Sequence, residues 1–243
     1  MTPPVLQAGG ITSGYGQVRV LDGVTLTVPD GSVAVLLGAN GAGKTTTLQA
    51  LAGVLPIWDG RVTLDGRRID GRQPYDVARM GVTLVPEGRG VFPNLSVAEN
   101  LAIAAHAVRD SGISDRHHRV DDVLEMFPRL RDRLAQAAGT MSGGEQQMLA
   151  LCRGLLAKPR LLMIDELSMG LAPILVEHLF ETVSRLKEAR QTMLLVEQYL
   201  TYALGVADIC YVLNKGRVVF VGEPNELRGT RALASMYLGV GAS

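Results

Sequence analysis

The sequence predicts an α/β fold, and three observations carry that prediction. The apolar run Val33–Leu37 feeds a glycine-rich turn that ends in Gly43-Lys44-Thr45. A second apolar run, residues 161–164, ends in two acids, Asp165 and Glu166. Between them, from about residue 93 to 159, the pattern turns helical. Runs that are apolar at every position suit strands buried on both faces of a parallel sheet. Such sheets present ligand-binding residues at the carboxyl ends of their strands.

In chain order, residues up to about 85 mix short strands, including 24–28 and 62–64, with a helix beginning near Gly43. Ahead of that helix, Gly38-Ala39-Asn40-Gly41-Ala42-Gly43-Lys44-Thr45 is a complete G-x-x-x-x-G-K-[ST] phosphate-binding loop. Gly38, Gly41 and Gly43 permit backbone angles and close approaches that a Cβ would block. Successive amides and the helix N-terminus form a concave anion site. Lys44 reaches β- and γ-phosphates, and the Thr45 hydroxyl suits a Mg²⁺ ion. Residues 98–104 are helix formers, residues 121–127 read as an amphipathic helix, and Pro128 ends or bends it. The polar stretch 110–119, with His117 and His118, reads as a solvated loop.

Met141-Ser142-Gly143-Gly144-Glu145 opens the next helix. Ser142 and Glu145 have capping-box spacing. The two glycines each cost about 1 kcal/mol in a helical turn, which makes sense where bare backbone must meet a second phosphate. After the strand at 161–164, Asp165 is suited to hold Mg²⁺ and Glu166 to orient and deprotonate an attacking water. A helix near residues 175–189, a strand at 192–196 and a hairpin turning at Asn214-Lys215-Gly216 complete the alternation.

Together these motifs resemble the ATP-binding subunit of an ATP-binding-cassette (ABC) transporter, from Tyr15 to about Gly222. Val85-Pro86-Glu87-Gly88-Arg89-Gly90-Val91-Phe92-Pro93, the stretch from Met141 to Leu149, Gly170-Leu171-Ala172-Pro173 and Leu195-Val196-Glu197-Gln198 narrow the resemblance to the branched-chain amino-acid importer ATPases. The resemblance implies a P-loop NTPase cassette with a mainly parallel core sheet, an N-terminal antiparallel β portion and a helical subdomain. The whole chain, 1–243, would be one ABC ATPase domain. Its helical subdomain would cover about 93–159, and the RecA-like and β parts about 1–92 and 160–243.

By the same resemblance, Tyr15 stacks on adenine, with a tyrosine packing a β-turn as the alternative, and Val20 packs base or ribose. Gly38 through Thr46 wrap the phosphates of ATP, with Thr45, Glu87 and Asp165 at Mg²⁺. Ser142, Gly143, Gly144 and Glu145 act in trans, on ATP held by the opposite cassette of a head-to-tail dimer. Arg89, Val91 and Phe92 are candidates for contact with a membrane subunit, or Val91 and Phe92 pack beneath the helical lobe.

Four positions depart from the family pattern. Glu87 stands where glutamine is usual and Gln198 where the switch histidine is usual; Leu167 replaces a proline and Leu171 an aspartate. Gln198 donates hydrogen bonds but never becomes cationic. The implied assembly contains membrane permease subunits, a substrate-binding protein and a second ABC ATPase chain, identical or similar, at the cytoplasmic face of the cell membrane. An importer of urea or short amides, and a weakly hydrolysing ATP-dependent dimerisation subunit, are the alternatives.

Composition agrees. At 243 residues and 47% hydrophobic, the chain can bury a sizeable core. A formal net charge of zero argues against nucleic acid as an electrostatic partner. Cys152 and Cys210 sit in apolar contexts without metal-ligand spacing and read as small buried thiols of a reducing compartment. No signal-peptide pattern and no apolar stretch of about 18 residues is visible, so the pore is expected to belong to other chains.

Overall fold

A computed structural model describes residues 4–88, 90–106, 113–198 and 200–227, with no side chains for 113–119. Two long antiparallel strands, β1 (Leu6–Tyr15) and β2 (Val18–Val28), open the chain. They precede the central strand β3 (Val33–Leu37) and the phosphate-loop helix α1 (Lys44–Leu51). β4 (Ile57–Leu64) and the short β5 (Arg67–Arg68) return to β1, giving a four-stranded sheet in the order β2-β1-β4-β5. β1 is not evident from the sequence pattern. Gly9, Gly10 and Gly14 interrupt its periodicity, and the register of both its ladders shifts around Gly9 and Gly10. Glycine-bearing bulges keep a strand alive where a period-of-two pattern is lost.

α2 (Pro74–Arg79) leads to β6 (Val82–Val85). The helical stretch follows as α3 (Val97–His106), α4 (Ile113–Met126), α5 (Pro128–Arg131) and α6 (Gly143–Leu156). One expectation is corrected here: residues 113–119 continue as helix in α4 rather than as loop. The helix runs on into Val120, Val123 and Leu124, which pack against the core at helical spacing, and that packing decides conformation over the polarity of the preceding residues. Pro128 separates α4 from α5, as its missing amide requires.

β7 (Leu161–Asp165), α7 (Pro173–Glu188), β8 (Met193–Val196), α8 (Leu200–Val206), β9 (Ile209–Asn214), β10 (Arg217–Gly222) and α9 (Pro224–Leu227) complete the described elements. The main sheet runs β10-β9-β3-β8-β7-β6. All its pairings are parallel except that of β10 with β9, a hairpin turned by Lys215 and Gly216, both at positive φ (46° and 76°).

The sheet separates two cores. Val33, Val35 and Leu37 of β3, with Leu162 and Ile164 of β7, pack with α6, α7 and the helical stretch. Ala34 and Leu36, with Leu161 and Met163, pack with α1 and the antiparallel sheet. Alternate residues of one strand face opposite sides, so strands apolar throughout are what two cores demand. Among the described residues no helix is long and apolar enough to cross a membrane. Cys152 and Cys210 are buried and unpaired, and burial pushes their thiols up to about 12 and about 11.

Candidate active site

β3, β8 and β7 lie side by side and end at one edge of the sheet, so three loops converge there. The phosphate loop follows β3; Glu166 follows β7; Gln198 follows β8. Glu87 sits two residues beyond β6. A cleft of about 460 Å³ is lined by Tyr15, Val20, Asn40, Gly41, Gly43, Lys44, Thr45, Thr46, Glu87, Glu166 and Gln198, together with Met169. Residues from the two sheets and from both ends of the chain thus meet around the phosphate loop. Gly38 and Ala42 are buried behind the loop, and Ala39, though exposed, does not line the cleft. A Cβ on Gly38 would come within 2.5 Å of the Leu213 carbonyl oxygen, and the Ala42 carbonyl accepts from the Gly216 amide at 2.9 Å.

Lys44 is almost fully buried. Its Nζ donates to the carbonyls of Gly38 (3.1 Å) and Ala39 (3.3 Å) and lies 3.6 Å from Glu166 Oε1. That same oxygen accepts from Gln198 Nε2 at 2.8 Å. Glu166 adopts φ 49°, a left-handed conformation rare outside glycine, and its amide donates to the Val196 carbonyl at 2.9 Å. The loop therefore aims Glu166 back across the ends of β7 and β8 rather than onward along the strand.

Asp165 is 2% exposed, and its Oδ1 has no partner. Burial pushes its carboxyl up to about 6. The Thr45 hydroxyl, which hydrogen-bonds it, and Lys44 oppose the rise, while the charges of Glu166 and Glu87 add to it. A buried carboxylate with a free oxygen beside a hydroxyl and two further acids is an arrangement that a cation would relieve.

Tyr15 is half exposed at the end of β1, and its hydroxyl donates to Gln49 Oε1 at 2.9 Å and lies 3.4 Å from Thr46 Oγ1. Its ring lines the cleft while its hydroxyl is tied to α1. Val20, on β2, lies on the same wall.

The second glycine motif lies apart from this cleft, at the start of α6. Both hydrogen bonds of the capping box are present: Ser142 Oγ accepts from the Glu145 amide at 3.4 Å, and Glu145 Oε2 accepts from the Ser142 amide at 2.9 Å. Arg133 pairs with Glu145 at 3.2 Å. Gly144 has an additional reason within its own chain. A Cβ there would come within 2.8 Å of Leu175 Cδ1, so α7 packs directly on this backbone. Gly143 is partly exposed.

Of the loop after β6, Arg89 lies outside the described residues. Phe92 is 43% exposed, whereas Val91 packs against the core. The Arg153 guanidinium lies 4.8 Å from the centre of the Phe92 ring and donates to the Gly90 carbonyl. The sequence reading missed Met169, Ser168 and Glu197. The signal for Glu197 was the same as for Asp165, an acid closing an apolar run.

Comparison with known proteins accords with this geometry. The family model described as ABC transporter matches residues 21–168. The chain belongs to the ABC transporter family. Membership implies nucleotide binding and ATP hydrolysis. This ABC chain is 42% identical to the high-affinity branched-chain amino acid transport ATP-binding protein BraG of Pseudomonas aeruginosa, over 94% of its own length and 97% of that protein's. It is 35% identical to the probable branched-chain amino acid transport ATP-binding protein LivF of Archaeoglobus fulgidus, covering 97% and 99% of the two chains. Against the lipopolysaccharide export system ATP-binding protein LptB of Escherichia coli, identity is 30%, covering 96% and 97%. Among solved structures, the ADP conformation of an ATP-binding cassette of an ABC transporter superposes with a TM-score of 0.85 at 25% identity, covering 98% of this ABC chain and 100% of that one.

Proposed function

We propose that the chain is the ATP-hydrolysing subunit of an importer of branched-chain amino acids. The observation that carries the hydrolytic part is the Lys44–Glu166–Gln198 cluster at the mouth of the phosphate loop. The substrate class is supported by the 42% and 35% identities to proteins named for that transport, against 30% for one named for lipopolysaccharide export.

On this reading Tyr15 and Val20 seat the base, and residues 38–46 wrap the triphosphate with backbone amides. Lys44 gives up its carbonyl partners for phosphate oxygens. Glu166 accepts a proton from the attacking water as it approaches the γ-phosphate, and Gln198, which donates to Glu166, orients that water. Thr45, Asp165 and Glu87 would hold Mg²⁺. The ion, when bound, neutralises charge building on the phosphate oxygens. The unpartnered Asp165 Oδ1 fits that role. A Mg²⁺ ion usually keeps several waters and takes substrate phosphate oxygens beside one or two carboxylates.

Ser142, Gly143 and Gly144 lie away from the cleft of their own chain, which supports their serving ATP bound by a facing cassette, identical or similar. ATP-driven closure of that pair would move permease subunits, with Phe92 as one contact, at the cytoplasmic face of the membrane. A substrate-binding protein would deliver the amino acid.

Mg-ATPase activity of the purified chain, alone and with its partner cassette and permeases, is expected to rise faster than linearly with protein concentration. Activity should fall at least about 100-fold in Glu166→Gln. Leucine uptake by cells lacking the chain should return with the wild type and not with that variant. Hydrolysis that survives Glu166→Gln would overturn the assignment of the base, and restored uptake of another solute class alone would overturn the substrate.

A further inference from the structure

Glu197 is a buried acid that the mechanism above leaves without a task. It follows β8, precedes Gln198, and is 1% exposed. Its Oε2 accepts from the hydroxyl of Ser168, itself 1% exposed, and its Oε1 has no partner. Burial pushes the carboxyl up to about 7, against the favourable hydrogen bonds of the Ser168 hydroxyl and the Gln198 and Ser168 amides. Burying an acid carries a large desolvation cost, and no core packing argument calls for one here.

Its position suggests the reason. Ser168 lies two residues after Glu166, and Glu197 one residue before Gln198. Three links, one residue pair each, therefore tie the loop after β7 to the end of β8. The Glu166 amide donates to Val196 O (2.9 Å), the Ser168 hydroxyl and amide to the Glu197 carboxyl, and Gln198 Nε2 to Glu166 Oε1 (2.8 Å). Between the first and third links Glu166 holds its left-handed backbone, a conformation that persists where its surroundings over-determine it. The same loops enclose a cavity of about 240 Å³, lined by Glu166, Ser168, Met169, Gly170, Glu197 and Gln198. Glu197 and Ser168 do not line the nucleotide cleft.

We infer that the Ser168–Glu197 pair is a positioning device for the water site, locking the backbone of Glu166 to the strand that carries Gln198 so that their side chains stay opposed. This rests on the reading of Glu166 as the water-activating carboxylate. Because the pair touches no nucleotide-binding residue of the phosphate loop, its loss should change turnover rather than ATP affinity. Because the two residues act as one unit, losing both should cost no more than losing either.

The test compares Ser168→Ala, Glu197→Ala, the double variant and Glu197→Gln in the full chain with its partners. The two alanine variants and the double are each expected to lower kcat about tenfold with KM for ATP within about twofold. Glu197→Gln, which keeps an acceptor for Ser168, should recover most of the rate. Hydrogen exchange of the nucleotide-free chain gives a readout independent of hydrolysis: amides of residues 166–170 should exchange about tenfold faster in the alanine variants and not in Glu197→Gln. Unchanged exchange, additive losses in the double variant, or a fall in ATP affinity parallel to kcat would overturn the inference. Glu166→Gln run alongside separates the two claims. If it abolishes hydrolysis while the Ser168 and Glu197 variants behave as wild type, only the positioning role fails; if it leaves hydrolysis intact, the underlying assignment fails.

Discussion

Asp165 and Glu197 are two carboxyls at the ends of neighbouring parallel strands, both nearly dry and both pushed upward by burial. Asp165 faces the nucleotide loop, where a cation would favour its charged form. Glu197 has a hydroxyl and two amides instead. An acid whose folded value exceeds its unfolded one binds its proton more tightly in the folded state. It therefore favours the fold below its unfolded value of about 4.5, and that contribution disappears as pH rises through about 7. Glu197→Gln is neutral at every pH. Its melting temperature relative to wild type, measured without nucleotide, is expected to climb between pH 5 and pH 8. A difference that stays flat across that window would show that Glu197 does not take up a proton on folding. The pairing behind this prediction was not legible in the sequence. Ser168 and Glu197 are 29 positions apart, and only the adjacency of β7 and β8 brings them together. The phosphate loop, by contrast, is a local motif whose strand, turn and helix are contiguous, and the strand Val33–Leu37 and a helix from Lys44 flank it as the sequence leads one to expect.

At the scale of elements, a buried side-chain amide helps tie the loop joining β6 to α3. Asn100, fully buried in α3, accepts from the Phe92 amide at 2.9 Å and donates to the carbonyls of Phe92 (3.0 Å), Leu95 (3.3 Å) and Ser96 (3.0 Å). Asn100→Ala strands these groups, so a loss of about 1–3 kcal/mol is expected, or roughly 2–10 °C in melting temperature for a chain of this size. A thermal melt checks it; no loss would mean that water replaces the amide. The same variant should loosen Phe92, which Arg153 of α6 also holds. The helix bearing Ser142 and the loop bearing Glu87 are thereby mechanically joined. Sequence periodicity found α3 and α6 but not this clamp, since an asparagine inside a run of helix formers carries no mark of its partners. The capping box was legible, because its two residues are three apart. Gly144 was half legible: a glycine was seen to be needed, while Leu175, the neighbour that excludes a side chain, comes from another helix.

For the whole molecule, the cleft is lined from both sheets, so on the proposed reading nucleotide binding stabilises the entire fold. With ATP at about 100 times its dissociation constant the gain is about 2.7 kcal/mol, an upward shift of roughly 5–10 °C. Lys44→Ala, which removes the buried ammonium, is expected to abolish that shift while leaving the nucleotide-free melt within a few degrees. A full shift in the variant would show that the loop binds phosphate through its backbone alone. The sheet order and the two cores follow from runs such as Val33–Leu37, whose alternate residues serve opposite sides. The antiparallel sheet was less legible because its longest-range partner strand, β1, is broken by glycines.

Helix α1 begins at Lys44 in the phosphate loop and carries, one and a half turns later, the Gln49 that holds the Tyr15 hydroxyl. At about 1.5 Å per residue those two anchor points are fixed some 7.5 Å apart along a rigid rod. On the proposed reading α1 is a gauge: it sets the span between base and triphosphate before any ligand arrives. Nucleotides altered in the base should then lose affinity gradually. Analogues whose phosphate chain is one unit shorter or longer keep the base seat but miss the second mark.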